Sequence, residues 1–454
     1  MDMDATCDRQ QLSGQPARPP TRAPTAQPES LLERFRSVRA ASLQLASPLS
    51  AEDQCVQSMP QASPTKWHLA HATWFFETLV LQAHMSSYRT FDPGYARLFN
   101  SYYEALGPRH ARELRGMLTR PSSGQILCYR RHVDDAMESL LEAGPPGASV
   151  EAAAMIELGL NHEQQHQELL LTDIKHAFYL NPLRPAYRPV GPVDPVGRAS
   201  PSDTHARPTP FRWTRHEGGI REIGHGGTGF GFDNETPRHQ VLLMPFQLTS
   251  RPVSCGEYLQ FVLDGGYRRP DLWLSDGWTA VQEHAWRAPL YWEADGDNRF
   301  NVFTLHGMRS LNPDEPVCHL SFYEACAYAT WAKARLPTEF EWEAAAAQWP
   351  VARERPSAIR LHPESAVATA AGDQSEPICG PVWQWTRSSY DPYPGFQPYP
   401  GPAGEYNGKF MVGQVVLRGG SCATPPGHIR ITYRNFFPPA TRWQFCGLRL
   451  ARDA

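Results

Sequence analysis

The chain has 454 residues, which is more than one hydrophobic core usually serves, so we expect two domains. Its formal net charge of −4 argues against a nucleic-acid-binding protein, because such a protein carries a basic excess on at least one domain. Hydrophobic residues make up 41% of the chain and aromatic residues 11%, which is enough to build substantial cores.

The N-terminus and the cysteines both bear on the cellular compartment. The first four residues begin neither the basic nor the apolar stretch of a signal peptide. No run of 18 apolar residues could span a bilayer. The nine cysteines are scattered, with no C-x-x-C pair. We therefore expect a cytoplasmic protein with reduced thiols and no membrane partner.

The first part of the chain is predicted to be helical. Residues 1–29, rich in Pro, Gln, Ala and Thr, are predicted to be a disordered tail. Residues 30–180 are predicted to form four main helices, which favours an all-α bundle. The third helix is expected over about 123–142 and the fourth over about 149–178. The first two carry apolar residues at helical spacing, namely Leu31, Leu32, Phe35 and Val38, and then Trp67, Ala70, His71, Trp74 and Phe75.

The amino-acid composition of the sequence changes twice after the fourth helix. Residues 181–210 contain eight prolines, which a helix cannot accommodate, so this segment is predicted to be a linker or a surface strap. Residues 211–454 have short apolar runs and frequent Gly, Trp and Pro. This pattern predicts an α+β domain rich in loops, with one clear helix near 321–334 and a short one after Pro337.

Two histidines in the fourth predicted helix form the most informative motif. His162 and His166 are spaced i and i+4, so they project from one face about one turn apart, as two ligands of one metal ion would. The apolar flanks, including Leu158 and Leu170, make a solvated surface pair a poor explanation.

The same motif also reads H-E-x-x-H, so a zinc metalloprotease is an alternative. Glu163 would then be the general base. The extended motif fails, because Leu169 and Thr172 stand where its Gly and third His would be.

His71 supplies a third candidate ligand from the second helix. It lies on the apolar stripe of Trp67 and Trp74, where an unpaired imidazole would be costly to bury. Helical bundles build metal sites from facing helices, so His71, His162 and His166 are predicted to converge on one ion. Three imidazoles alone do not choose among Fe(II), Zn(II) and Ni(II).

These histidine motifs, with others in the second half, resemble the ergothioneine-biosynthesis sulfoxide synthases, or hercynine oxygenases. That family has a DinB-like four-helix bundle followed by a C-type-lectin-like domain of the formylglycine-generating-enzyme type. The resemblance covers nearly everything from residue 30 onward. It rests on W-H-L-A-H at 67–71, H-E-Q-Q-H-Q-E at 162–168, P-V-S at 252–254, R-L-P-T-E-F-E-W-E at 335–343, W-Q-W-T at 383–386, R-G-G-S-C at 418–422, Y-R-N-F-F-P at 433–438 and G-L-R-L-A-R at 447–452.

The resemblance implies an O2-dependent reaction at iron(II). A cysteine thiol, of cysteine or γ-glutamylcysteine, is joined to the imidazole of N-α-trimethylhistidine, and the sulfur becomes a sulfoxide. An iron with three histidine ligands leaves positions for thiol, imidazole and O2, and a bound metal lowers the thiol pKa.

The resemblance also implies roles for particular residues. His71, His162 and His166 fall on the iron ligands. Gln165 falls on a position that contacts trimethylhistidine, and Asn435, with Phe436 and Phe437, falls on a segment that closes over it. Tyr102 and Tyr103 resemble a tyrosine pair near the iron, and a tyrosine O–H suits proton donation in a dry site.

Physical chemistry suggests further substrate contacts. A trimethylammonium group has no N–H to donate, so aromatic faces such as Phe436 and Phe437 are its expected partners. Arg112, Arg115 and Arg442 are candidates to hold a substrate carboxylate.

Two departures from the family pattern are informative. Gln384 stands between Trp383 and Trp385 where relatives often carry Glu, which puts a structural cation there in doubt. Phe437 stands where another branch has an acidic residue that helps to hold γ-glutamylcysteine, which favours cysteine as the sulfur donor.

Two other functions remain open from the sequence. A formylglycine-generating oxidase would need a copper-binding cysteine pair, for which only Cys422 and Cys446 lie in the right region. A non-catalytic binding module would not depend on a metal at all.

Overall fold

The computed structural model describes residues 29–143, 149–189, 211–296, 298–349, 359–364 and 378–454. The first part, which we call the helical half (residues 29–189), contains no strand among its described residues. Its helices are α1 (Leu31–Ala46), α2 (Thr65–Phe76), α3 (Gln82–His84), α4 (Tyr95–Leu98), α5 (Ser123–Glu142) and α6 (Val150–Leu180), with a π-helical turn, Glu77–Leu81, continuing α2.

The predicted helices of this half are confirmed, and local capping explains where they begin. Ser30 caps α1 and Ser122 caps α5, each in a reciprocal box with the residue three positions later. Ser149 caps α6 by accepting a hydrogen bond from the Ala152 N–H. Each such cap stabilises its helix by about 1 kcal/mol. The predicted tail falls on residues 1–28, which lie outside the described residues.

The approach of α2 to α6 depends on Gly159. A Cβ at this position would come within 2.6 Å of the Phe76 ring and 3.0 Å of the Phe75 ring. Both rings are fully buried, so they have no room to move away. The glycine therefore lets α2 lie close to α6, one turn before the histidine pair.

The second part, which we call the mixed half (residues 211–454), combines short strands with four helices among its described residues. The predicted helix near 321–334 is found as α9 and the one after Pro337 as α10, while α7 and α8 were not predicted because each is only nine residues long and contains a glycine. The helices are α7 (Cys255–Leu263), α8 (Ser275–Glu283), α9 (Phe322–Trp331) and α10 (Glu339–Gln348). The strands are β1 (Trp213–His216), β2 (Gly219–Ile223), β3 (His239–Leu243), β4 (Phe246–Thr249), β5 (Trp292–Ala294), β6 (Phe300–Thr304), β7 (Gly307–Ser310), β8 (Trp383–Ser389), β9 (Val415–Arg418), β10 (Asn435–Phe437), β11 (Cys446–Gly447) and β12 (Ala451–Asp453).

The strands form small sheets, of which one faces the helical half. This sheet has the order β10-β9-β8-β11, antiparallel except for the β11–β8 pair. The others have the orders β1-β4-β12, β5-β6-β7 and β2-β3. The mixed helix-and-sheet architecture expected for this part is confirmed.

The two halves are joined by buried polar contacts as well as apolar packing. Glu168 of α6 accepts hydrogen bonds from Trp383 Nε1 (2.8 Å), Ser421 Oγ (2.5 Å) and Thr424 Oγ1 (2.7 Å). The start of the predicted linker follows the same boundary, since Arg188 donates from its backbone to Leu305 and from its side chain to Gln44. The rest of that linker, 190–210, lies outside the described residues. In the described ranges, no helix is both long and apolar enough to cross a bilayer.

Candidate metal centre

His71 of α2 meets His162 and His166 of α6 in the interior of the helical half. The ring centroids lie 4.9 Å apart for His71 and His162, 4.8 Å for His71 and His166, and 4.6 Å for the α6 pair. One ring nitrogen from each residue lies within 4.8 Å of the other two. The structure therefore brings together the three histidines that the sequence singles out, from two separate helices.

Aromatic neighbours fix the ring of His71. Trp67, one turn before it, stacks on one face with centroids 4.6 Å apart and an interplanar angle of 15°. Trp74, one turn after it, stacks at 5.5 Å and 16°. The Nδ1–H donates to the Phe99 carbonyl at 2.6 Å. The lone pair therefore belongs to Nε2, which has no hydrogen-bond partner among the described residues.

Burial keeps these imidazoles neutral. It lowers the pKa of His162 to about 3 and holds the pKa values of His71 and His166 well below the usual range. Both ring nitrogens of His162 also lack a hydrogen-bond partner among the described residues. Buried polar atoms are rarely left unpaired, and neutral imidazoles with unpaired nitrogens suit a divalent transition metal.

Glu163 does not serve as the base that a metalloprotease would need. Its carboxylate is buried among Arg39 Nη1 (2.9 Å), Arg130 Nη2 (2.5 Å) and Ser42 Oγ (2.6 Å), which occupy its oxygens. These partners overcome the cost of burial and hold its pKa at about 2. The metalloprotease alternative is therefore wrong for this motif, because Glu163 supports the packing of α1, α5 and α6.

The predicted tyrosine pair lies on a loop beside the metal centre. Tyr102 and Tyr103 stack with centroids 4.8 Å apart, and the ring of Tyr103 lies 5.4 Å from Trp74. Tyr103 is fully buried, whereas Tyr102 is half-buried. Burial raises the pKa of both phenols, so both keep their protons at neutral pH.

Tyr406, which was not predicted from the sequence, lies closer to the ligands. Its ring is 5.5 Å from that of His162, and its hydroxyl donates to Gln165 Oε1. It comes from an irregular segment of the mixed half, where no motif marks it; an unusual density of tyrosines over 390–406 was the available signal. Lys409 and Glu405 bind this segment to the backbone of residues 102–105.

A cavity of about 210 Å³ opens beside Gln165 and Tyr406, between the two halves. Gln165 Nε2 donates to the Tyr433 hydroxyl, which holds the amide in a defined orientation. Of the predicted substrate residues, Gln165, Arg112, Asn435, Phe436 and Phe437 line this cavity. Its other walls include Glu168, Phe232, Asn234, Trp383, His428 and Gln444.

The residues of β10 differ in what they offer to the cavity. Phe436 stacks on Tyr390 with centroids 4.0 Å apart, so one of its faces is already covered. Asn435 Oδ1 accepts the Phe436 N–H at 2.9 Å, which leaves the amide nitrogen available. Phe437 is half-buried at the cavity wall.

Of the three predicted arginines, Arg112 and Arg115 lie near each other, whereas Arg442 lies apart from them. Arg115 is buried over the Trp67 ring, 3.4 Å from the ring centroid, and donates to Ser63 Oγ and Ser101 Oγ. No carboxylate among the described residues pairs with it, and burial, with Arg112 and Arg109 nearby, lowers its pKa to about 8. Arg442 is elsewhere in the mixed half, where it donates to Glu324 at 2.7 Å, and it does not line the cavity.

Gln384 bears on the doubtful structural cation, and the two cysteines of the C-terminal region bear on the alternative of a formylglycine-generating oxidase. Gln384 Oε1 accepts from Trp342 Nε1 (2.8 Å) and Arg449 Nε (3.0 Å), so this amide oxygen is used within the mixed half. Burial raises the pKa of the Cys422 and Cys446 thiols well above the usual range. Both thiols therefore stay protonated at neutral pH, as is usual for buried structural cysteines.

Comparisons with known proteins match both halves of the chain. Residues 34–170 match the DinB superfamily, and residues 205–367 and 376–454 match the sulfatase-modifying factor enzyme 1-like domain. The chain is 32% identical to the hercynine oxygenase of Mycobacterium tuberculosis over 94% of this chain and 99% of that protein.

Two other relatives match smaller parts of the chain. It is 26% identical to ergothioneine biosynthesis protein 1 of Schizosaccharomyces pombe over 49% of this chain and 28% of that protein. A formylglycine-generating enzyme of Streptomyces coelicolor is 28% identical but matches only 58% of this chain.

Proposed function

Because the chain belongs to the hercynine oxygenase family and is therefore an oxygenase of ergothioneine biosynthesis, we propose that it is an iron(II)- and O2-dependent sulfoxide synthase. It joins the sulfur of a cysteine thiol to the imidazole of trimethylhistidine. The observation that carries this proposal is the convergence of three neutral imidazoles beside a cavity between the two halves, with unpaired buried nitrogens on His71 and His162.

The metal ligands are His71, His162 and His166. Iron, when bound, supplies O2 activation and a lowered pKa for the thiol. The choice of iron rests on the family, because three nitrogen ligands do not exclude zinc or nickel. The protein's own contribution is to hold three neutral rings in place, two of them on one face of α6 and the third between Trp67 and Trp74.

The cavity has charges that suit a zwitterionic substrate. Arg112 lines one part of its wall, with Arg115 behind it, and neither forms an ion pair with a carboxylate among the described residues. Glu168 lines another part and has only neutral donors as partners there. Arg115 and Glu168 are buried without an ion-pair partner among the described residues, which is costly, and a substrate with a carboxylate and a quaternary ammonium would place an opposite charge beside each.

Aromatic faces near Glu168 complete the ammonium site. Trp383 and Tyr433 both line the cavity, with ring centroids 5.4 Å apart, and Phe232 lies 5.5 Å from Tyr433. Such faces attract a quaternary ammonium by about 0.5–2 kcal/mol each. Gln165, Asn435, Phe436 and Phe437 are the further substrate contacts of this proposal.

The reduction of O2 requires a proton, and a tyrosine donates it. Tyr102, Tyr103 and Tyr406 are the candidates, and the short separation from His162 favours Tyr406. Its raised pKa keeps the phenol protonated until the substrate changes charge beside it. Gln165 holds the phenol in position through its side-chain oxygen.

The sulfur donor is proposed to be cysteine. Phe437 offers no charge to the ammonium or carboxylate groups that γ-glutamylcysteine adds. An apolar ring at the cavity wall would leave those groups without partners, which is unfavourable in a buried site.

The proposal extends to the fold of each half and to the cellular compartment. The helical half is a DinB-like four-helix bundle formed by α1, α2, α5 and α6, and the mixed half is a C-type-lectin-like domain. With buried thiols at Cys255, Cys318, Cys422 and Cys446 and no disulfide formed by them, the protein is proposed to act in the cytoplasm.

A direct test uses protein purified without O2 and loaded with iron(II). O2 uptake should require trimethylhistidine and a thiol together, and mass spectrometry should identify the S-linked sulfoxide. Zinc-loaded protein, with the same ligands but no redox chemistry, is the control. Uptake that does not depend on trimethylhistidine, or a product without a new C–S bond, would overturn the proposal.

A further inference from the structure

The three candidate ligands differ in the hydrogen bonds that their ring nitrogens form with neighbouring residues. His71 donates to the backbone carbonyl of Phe99, and His162 has no hydrogen-bond partner among the described residues. His166 is different, because its Nδ1 lies 2.8 Å from Nδ1 of a fourth histidine, His68. The family motif around His71 includes His68, but the metal site does not use it as a ligand.

His68 is in turn held by a buried carboxylate. Its Nε2 lies 3.1 Å from Oδ2 of Asp173, which is on α6 two turns after His166. His68 is only 4% exposed and Asp173 only 6%, so water does not screen this contact. The same Oδ2 accepts the backbone N–H of Ser63 at 2.8 Å.

This geometry determines where the protons lie. A carboxylate oxygen only accepts hydrogen bonds, so Asp173 Oδ2 takes the Nε2–H of His68 as well as the backbone N–H of Ser63. A neutral imidazole has one donor and one acceptor nitrogen, so His68 Nδ1 accepts. His166 Nδ1 must then donate, which leaves the lone pair of His166 on Nε2, the nitrogen available to a metal.

We propose that His68 and Asp173 are positioning residues that hold His166 as an Nε2 ligand and make it the strongest electron donor of the three. The inference rests on the metal site of the proposed function. A histidine ligand that donates to a carboxylate is fixed in tautomer and orientation and becomes more basic. Here a second imidazole relays the same effect, whereas His71 meets only a neutral carbonyl.

Metal affinity of the apoprotein tests this without relying on turnover. Cobalt(II) is titrated in competition with a chromophoric chelator. His68→Phe fills a similar volume but removes the acceptor, whereas His68→Gln keeps an oxygen that can accept from His166. We expect His68→Phe to weaken cobalt binding about 10- to 100-fold and His68→Gln to restore most of it.

Asp173 provides an independent measurement if His68→Phe does not fold. Asp173→Asn keeps an oxygen for Ser63 and His68 but removes the charge, so the cobalt(II) absorption bands should shift while binding survives. Asp173→Ala should weaken binding to an extent similar to His68→Phe. His216→Phe, which removes another buried histidine far along the chain, is the matched control and should bind cobalt(II) as the wild type does.

Two outcomes would overturn the inference. One is wild-type cobalt affinity in His68→Phe and Asp173→Ala. The other is a His68→Gln protein that binds no better than His68→Phe, because a purely structural role predicts no rescue by an acceptor. If instead the affinities behave as expected but no sulfoxide forms, the proposed reaction fails while the positioning role stands.

Discussion

The Tyr406 hydroxyl donates its hydrogen bond to Oε1 of Gln165, the residue directly before the ligand His166 on α6. The two residues are 241 positions apart in the chain and belong to different halves. This contact places a phenol of the mixed half beside the candidate metal centre of the helical half.

Tyr406→Phe should therefore impair sulfoxide formation more than Tyr102→Phe or Tyr103→Phe. A general acid contributes about 10²- to 10⁴-fold in rate, so we expect a loss of that order. The reaction should be diverted toward oxidation of the thiol alone. Mass spectrometry of the products measures this, with trimethylhistidine binding as the control for an intact cavity. An unchanged product ratio in Tyr406→Phe would remove it as the proton donor.

His162→Ala should abolish iron binding while the fold survives. The side chain has unpaired nitrogens on both sides, so its removal breaks no hydrogen bond among the described residues. Metal analysis and circular dichroism together measure the two effects. Near-normal turnover in this variant would refute the ligand assignment.

Glu168→Gln should weaken the binding of trimethylhistidine. Glutamine keeps an oxygen for the donors from Trp383 and Ser421, and its amide nitrogen can donate to the Thr424 hydroxyl, but the negative charge is removed. We expect KM for trimethylhistidine to rise about tenfold or more with a smaller change in kcat, because a charge-assisted contact contributes about 1.5–3 kcal/mol. Ser421→Ala, which removes one neutral donor, is the matched control. Equal KM values in Glu168→Gln and the wild type would contradict the role as counter-ion.

Cysteine should outcompete γ-glutamylcysteine as the sulfur donor. Phe437 gives the longer thiol no polar partner at the cavity wall. A competition assay with equal concentrations of both thiols measures the preference, and Phe437→Asp should shift it toward γ-glutamylcysteine. A wild-type preference for the dipeptide would reverse the assignment.

Glu163→Gln should reduce stability but spare the chemistry. The carboxylate is buried between Arg39 and Arg130, and breaking such a pair costs about 3–5 kcal/mol because two buried charges lose their partner. Urea denaturation measures the loss. Turnover for each folded, iron-loaded molecule should stay close to that of the wild type, whereas a catalytic base would lose nearly all of it.

The three histidines of the candidate metal centre could be predicted to lie together because their signals are local. The spacing of His162 and His166 and the apolar stripe around His71 each follow from helix geometry, and the four main helices follow from the same periodicity. Convergence on one centre then needs only that the helices pack against one another. Arg442 shows the limit of this reasoning, since its pairing with Glu324 depends on tertiary structure.

The contacts that surround the three histidines could not be predicted in this way. Tyr406 and Glu168 act across the boundary between the halves, and no periodic pattern predicts which loop meets which helix face. His68 was part of a recognised motif, but its role depends on Asp173, which lies 105 residues later and carries no motif of its own.

The single helix α6 has a consequence for how such a protein can change over evolution. One continuous rod of 31 residues supplies two ligands, the amide that orients Tyr406, the carboxylate that receives three donors from the mixed half, and Asp173. Exchanging the mixed half for that of a distant relative would leave the three histidines in place. It would remove the residues of the mixed half that contact Gln165 and Glu168. New specificity is therefore expected to arise by point changes in the irregular segments around residues 400–440, and rarely by swapping whole domains.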